Sequence, residues 1–175
     1  MEFDLERSQE LLSATPGMLR AWLGELSDEW IASAGDMENW MPYDVLGHLI
    51  SAEEGGWIPR ARQILEAEGG EPPEVIAFDR DAFFEASKGK GLIELLAEFD
   101  AKRSESLETL RSWELSPDKL ELKGIHPEFG EVTLSQLLST WVVHDLTHIR
   151  QIATAMARKL DGEVGPWRAY LSILR

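Results

Sequence analysis

Four histidines occur in this chain of 175 residues, and two of them, His144 and His148, stand four positions apart. On a helix that spacing puts both imidazoles on one face with Cβ atoms about 6 Å apart, so both rings can reach a single ion. Two nitrogens supply only half of a tetrahedral shell, and the same pair could be two hydrogen-bonded histidines along a buried seam. Leu137, Trp141 and Ile152 lie on the same stripe, which marks the face as inward. There an unpartnered polar ring costs free energy that a metal ion would offset. His48 falls among Val45, Leu46, Leu49, Ile50 and Ala52, a second apolar face, where a histidine can also be an ordinary core residue. Together, His48, His144 and His148 are expected to form one three-nitrogen site for a divalent metal. Such a set leaves at least one coordination position open.

The elements that must position these residues are helical. Apolar residues recur at helical spacing from Leu5 to Leu26, with Pro16 and Gly17 in the middle, which predicts a helix kinked or restarted there. Pro42 suits a first helical turn, with Trp40 packing back onto it, and predicts a second helix running to about Glu68 before Gly69-Gly70. Residues 71–91 carry Pro72, Pro73, Gly89 and Gly91 and read as a long connection with a short helical piece over Asp79 to Ala86. Leu92 to Trp113 forms a third helix that stops before Pro117, followed by a turn-rich loop from Leu120 to Glu131. Thr133 with Gln136 three residues on is a capping box opening a fourth helix, which extends to Leu160. A short C-terminal helix over Trp167 to Leu174 closes one end. With no strand-length alternating segment in sight, the expected fold class is all-α, a single four-helix-bundle domain over residues 1–175.

Composition narrows the chemistry. Asp plus Glu number 32 against 17 Lys plus Arg, a formal net charge of −15 that repels polyanions, so neither nucleic acid nor an anionic membrane is an expected partner. The residues from Met1 to Arg7 lack a basic region followed by an apolar one, and no run approaches the length of a membrane span, so the expected location is cytoplasmic. Cysteine is absent. Thiolate ligands and a side-chain thiol nucleophile are therefore excluded, and any thiol chemistry must use a thiol that arrives as substrate.

Two segments carry a resemblance to a known family. Trp40-Met41-Pro42-Tyr43-Asp44-Val45-Leu46-Gly47-His48-Leu49, followed by Glu53, is similar to the first signature of the DinB-like superfamily. Gly130-Glu131-Val132-Thr133-Leu134, continuing to His144-Asp145-Leu146-Thr147-His148-Ile149-Arg150-Gln151-Ile152, is similar to the second. Thr15-Pro16, Phe99 with Arg103, and Gly165-Pro166-Trp167 extend the likeness over nearly the whole chain. The resemblance implies a bacterial, commonly homodimeric four-helix bundle with up-down-down-up connectivity, holding a divalent metal, zinc or nickel foremost, through His48, His144 and His148. Characterised relatives include bacillithiol S-transferases and mycothiol-dependent maleylpyruvate isomerases. The all-histidine set looks like the former, because the isomerases place a glutamate at the position of His144.

The resulting expectation is a divalent-metal-dependent transferase that activates a low-molecular-weight thiol, such as bacillithiol, for attack on a small electrophile. A metal-dependent hydrolase and a non-catalytic metal-binding or stress-response protein are the alternatives. Asp145 is expected to be a hydrogen-bond partner inside the bundle rather than a ligand, Glu53 and Arg103 an ion pair or solvated surface groups, and Gln151 a support for the ligands or a surface residue. His126, on the loop, is a candidate catalytic base or lid residue, or simply an exposed histidine. The seven tryptophans are mainly core filling, with Trp57 and Trp141 as candidates to line an apolar pocket.

Overall fold

The computed structural model describes residues 3–32, 39–79 and 83–175. Asp4 caps α1 (Leu5–Leu23) by accepting from the Arg7 backbone N–H at 3.0 Å. Of the kink or restart expected at Pro16, the restart is absent: the helix continues through it. A short α2 (Asp28–Ile31) follows, and then α3 (Pro42–Gly55), whose Asp44 carboxylate accepts from the Met41 N–H at 2.9 Å.

The single second helix expected from Pro42 to Glu68 is in fact two. Gly56 and Trp57 separate α3 from α4 (Ile58–Glu66). Two adjacent glycines weaken the helix, and Pro59 has no N–H to give the Gly55 carbonyl, so the ladder cannot cross this point. Within the long connection, α5 spans Phe83–Ser87; residues 80–82 of the short helix expected there lie outside the described residues. Gly47 lets α5 approach α3, since a Cβ at that position would sit 2.2 Å from Ser87 Oγ.

After α6 (Leu92–Ser112) and the turn α7 (Pro117–Leu120), the expected loop contains an antiparallel hairpin, β1 (Lys123–His126) with β2 (Gly130–Thr133). Strands of four residues are too short to show an alternating pattern, and the hairpin gains support from outside itself. Val75 N–H donates to the Ile125 carbonyl and Ile125 N–H to that of Pro73. The capping box of Thr133 and Gln136 then opens α8 (Leu134–Arg158), as expected. The C-terminal helix is instead a pair of 3-10 segments, Gly165–Tyr170 and Ser172–Leu174. Pro166 at the first turn and the exposed Trp167 and Tyr170 leave it no apolar face to bury as an α-helix.

The long helices pack out of sequence. α1 lies against α6 and α8, and α3, continued by α4, lies against the same two. The order around the bundle is therefore α1, α6, α3, α8, which is the arrangement of an up-down-down-up four-helix bundle. Two apolar clusters fill it. One is built on Leu12, Ala61, Leu107, Leu138 and Trp141, the other on Leu19, Leu46, Leu95, Phe99 and Ile152. Along α1, α6 and α8 the chain passes from one cluster to the other across Thr15-Pro16, Arg103 and Asp145 to His148. The polar layer between the clusters is where the candidate site sits.

Candidate metal centre

α3 contributes His48 and α8 contributes His144 and His148. The helical spacing of the latter two was legible, and the packing of α3 on α8 supplies the third ring. His144 Nε2 lies 3.1 Å from His48 Nε2 and 3.1 Å from His148 Nε2, and the three nitrogens all fall within 4.8 Å of one another. His48 and His148 are buried and His144 is partly buried.

The Nδ1 of His148 is 2.7 Å from Gln151 Oε1. An amide oxygen can only accept, so the ring proton sits on Nδ1 and the Nε2 of His148 presents a bare lone pair to its neighbours. Gln151 is thus a support for the ring. His144 Nδ1 is buried without a hydrogen-bond partner among the described residues.

Aromatic rings enclose the cluster. Trp40 stacks near-parallel to His148 with centroids 6.1 Å apart and leans on His48 at 5.0 Å. Phe78 and Phe83 meet His48 edge-on at 5.7 and 5.8 Å, and Trp57 meets His144 at 5.0 Å. Burial behind this apolar wall is the main reason that the His144 pKa falls from 6.5 to about 2, with His148, His48 and Arg103 adding to the fall. Burial also lowers His148, against the opposing pull of Gln151 and Asp145. Both rings are neutral at neutral pH, as metal ligands must be.

The donor set fits a divalent ion. Tetrahedral coordination at about 2.0–2.1 Å sets ligand nitrogens about 3.3 Å apart, close to the 3.1 Å separations here. Three imidazoles with a fixed tautomer on one ring, no thiolate and an apolar surround suit a divalent metal of borderline softness.

Beneath the histidines lies a buried ion network. Arg103 donates from Nε and Nη2 to Glu53 Oε1, at 2.9 and 2.8 Å, and from Nη1 and Nη2 to the two Asp145 oxygens, at 2.7 and 2.9 Å. Its Nη1 also reaches the Leu12 carbonyl, and Trp141 Nε1 donates to Glu53 Oε1 at 3.0 Å. Burial alone would lower the Arg103 pKa, but the two carboxylates outweigh it and the net shift is upward. Two carboxylates share one guanidinium, so Glu53 is pushed up by burial more than Arg103 pulls it down, with Asp145 adding to the rise. Glu53 and Arg103 therefore form the buried pair, and Asp145 turns away from the ligands toward the arginine.

His126 is not part of the cluster. It ends β1, its ring stacks on Phe129 at 4.5 Å, and its Nδ1 accepts from the N–H groups of Glu128 and Phe129. Trp57 and Trp141 stack on each other at 5.9 Å and belong to the core, with Trp57 also touching His144. The sequence reading missed the enclosing roles of Phe78 and Phe83, because residues in a long connection carry no periodicity to show which way they face.

Fold and cluster together define a class, a helical bundle whose facing helices converge three histidines on one point. The chain belongs to the DinB superfamily, whose family model matches residues 11–152. Among solved structures it is similar to YfiT from Bacillus subtilis, described as a probable metal-dependent hydrolase with an unusual four-helix bundle topology. That match has a TM-score of 0.70 at 20% identity, covering 88% of this chain and 86% of the other. No curated protein matches the chain.

Proposed function

We propose that this chain is a divalent-metal-dependent transferase in which His48, His144 and His148 hold the ion and a small thiol is joined to a small electrophile. The observation that carries the reading is the convergence of three imidazole nitrogens, with His144 Nε2 3.1 Å from each of the other two, inside an aromatic wall. Three protein nitrogens leave a position for an exchangeable ligand, whereas closed structural sites use four. Bound there, a divalent ion brings the pKa of a coordinated thiol or water toward neutrality and so supplies a nucleophile.

The residues of the chain do the rest. Gln151 fixes the His148 tautomer, Trp40, Phe78 and Phe83 keep bulk water from the ligands, and the Arg103 network holds α3 and α8 at the spacing that the three rings need. With no cysteine in the chain, the thiol comes from solution. The hydrolase reading draws on the description of YfiT and uses the same residues with water in place of thiol. Association of two copies belongs to the proposal too. Sedimentation equilibrium tests it, and a monomer at micromolar concentration counts against it.

The test is a screen of low-molecular-weight thiols, bacillithiol and mycothiol included, against a generic aryl halide, with metal-loaded and chelator-treated protein. Turnover that needs both thiol and metal is expected. Chelator-insensitive turnover, or none with any thiol, removes the transferase reading, and metal-dependent ester cleavage without thiol puts the hydrolase in its place.

A further inference from the structure

A groove of about 940 Å³ lies beside the histidine cluster, and Trp40 and Gln151, the two residues that flank His148, form its inner wall. From there it runs along α8 and under the C-terminal 3-10 segment. The α8 residues that line it, Thr147, Gln151, Thr154 and Arg158 among them, recur at helical spacing and form one stripe. From His148 to Arg158 the helix rises about 15 Å.

The charge of this groove is opposite to that of the protein. The chain carries −15 overall, yet Arg150, Arg158, Lys159 and Arg175 line the groove and, among the described residues, no Asp or Glu does. All four are exposed. Arg150, Arg158 and Lys159 have no ion pair among the described residues; Arg175 is tied by Nη2 to the Ala169 carbonyl. Elsewhere several cations are matched, Lys90 with Glu98, Lys102 with Glu54, Lys123 with Glu131 and Arg168 with Asp161, and the unpaired ones are scattered rather than gathered on one groove. Three or four cations brought together without carboxylates repel one another, and in an acidic protein that arrangement is costly unless an anion completes it. Guanidinium groups suit carboxylate and phosphate oxygens, which they bind in bidentate fashion. Three of the four cations lie beyond residue 152, where the match to the family model ends.

We infer that this groove binds the anionic part of the small-molecule substrate, a compound bearing carboxylate or phosphate groups at one end and its reactive group at the other. The inference rests on the proposed metal-dependent reading for the identity of the inner end, while the anion site stands on the groove alone. Arg150, next to Gln151 in sequence and two residues after His148, grips the end nearer the metal ligands, and Arg158 with Lys159 the far end. The acidic remainder of the surface turns other polyanions away, so the selected ligand is a small molecule and not a nucleic acid.

The experiment is isothermal titration of the metal-loaded protein at low ionic strength with two probes, succinate and inorganic phosphate. Wild type is compared with Arg150→Gln/Arg158→Gln and with Arg150→Lys/Arg158→Lys, and metal content is measured on each sample. Saturable binding of at least one probe is expected, weakened tenfold or more in the glutamine variant and largely kept in the lysine variant, with metal content equal in all three. The altered side chains are exposed, so an unchanged metal content also shows that the fold is intact. Equal affinity in wild type and glutamine variant, or no saturable binding of either probe to wild type, overturns the inference. Binding of a random single-stranded oligonucleotide more tightly than either probe overturns it as well. A protein that takes up no metal but binds a probe through these arginines sinks the metal reading and leaves the anion site standing.

Discussion

Arg103 donates from Nη1 to the carbonyl oxygen of Leu12 at 2.8 Å, and this is the carbonyl that Pro16, four residues later and without an N–H, cannot satisfy inside α1. Pro16, where a kink or restart was expected, thus opens an acceptor for the arginine at the centre of the bundle. With two bonds to Glu53 and two to Asp145, all five N–H donors of the guanidinium are used, at a site where the side chain is 1% exposed. The layer joins α1, α3, α6 and α8 directly beneath the histidines.

Replacing Arg103 leaves two carboxylates buried without their counter-ion. Arg103→Met is expected to lower unfolding free energy by about 3–5 kcal/mol, measured by urea denaturation of the metal-free protein. Arg103→Lys keeps the charge but offers at most three donors, so it should fall between the two. A methionine variant as stable as wild type would show that the network is not what holds the four helices in register.

The tautomer of His148 depends on Gln151. Gln151→Leu should weaken metal affinity by roughly 10–100-fold without changing the stoichiometry, read by competition with a chromophoric chelator. Unchanged affinity would mean that His148 is oriented by its packing against Trp40 alone.

The pH dependence has a definite sign. In the metal-free protein His144 is held at about 2 in the folded state against 6.5 when unfolded. The unfolded chain therefore binds a proton between those values that the folded one does not. Stability is fully present well above pH 6.5 and is lost as pH falls through it, by up to about 1.4 kcal/mol per pH unit for one such group; His148, also lowered, steepens the slope. Denaturation of the chelated protein at pH 7.5, 6.5 and 5.5 should show a small loss over the first step and a loss roughly three times larger over the second. His144→Asn should flatten the second step.

The cap of α8 offers a control. Thr133 Oγ1 accepts from the Gln136 N–H at 3.2 Å, and Gln136 Oε1 accepts from the Thr133 N–H at 3.0 Å. Thr133→Ala should cost about 1 kcal/mol in thermal or urea unfolding and leave metal stoichiometry untouched, because His144 lies about three turns further on.

Much of this could be read from the chain, and the remainder could not for identifiable reasons. His144 and His148 declare themselves by local spacing, and the Thr133 capping box by residue type, so both needed only one helix. Placing His48 beside them required α3 to pack on α8, which the apolar faces implied. The break at Gly56 carried its own signals in the glycine pair and Pro59, but the continuous apolar pattern outweighed them. The hairpin depends on Pro73 and Val75, some fifty residues away in sequence, and no local pattern reports such a partner. The five bonds of Arg103 need backbone from α1 and side chains from α3 and α8, so the sequence indicated a pair where the fold builds a network. The basic groove joins Arg150 to Arg175 across a chain reversal, and net charge conceals it.

The central claim is that His48, His144 and His148 hold one divalent ion. Elemental analysis of the purified protein, alongside His48→Ala, His144→Ala and His148→Ala with retained helicity checked by circular dichroism, tests it most directly. About one equivalent of zinc or nickel per chain in wild type, and a small fraction of that in each variant, is the result expected. A folded wild-type protein that stays metal-free after incubation with excess zinc and nickel, or a variant that retains the full equivalent, would contradict it.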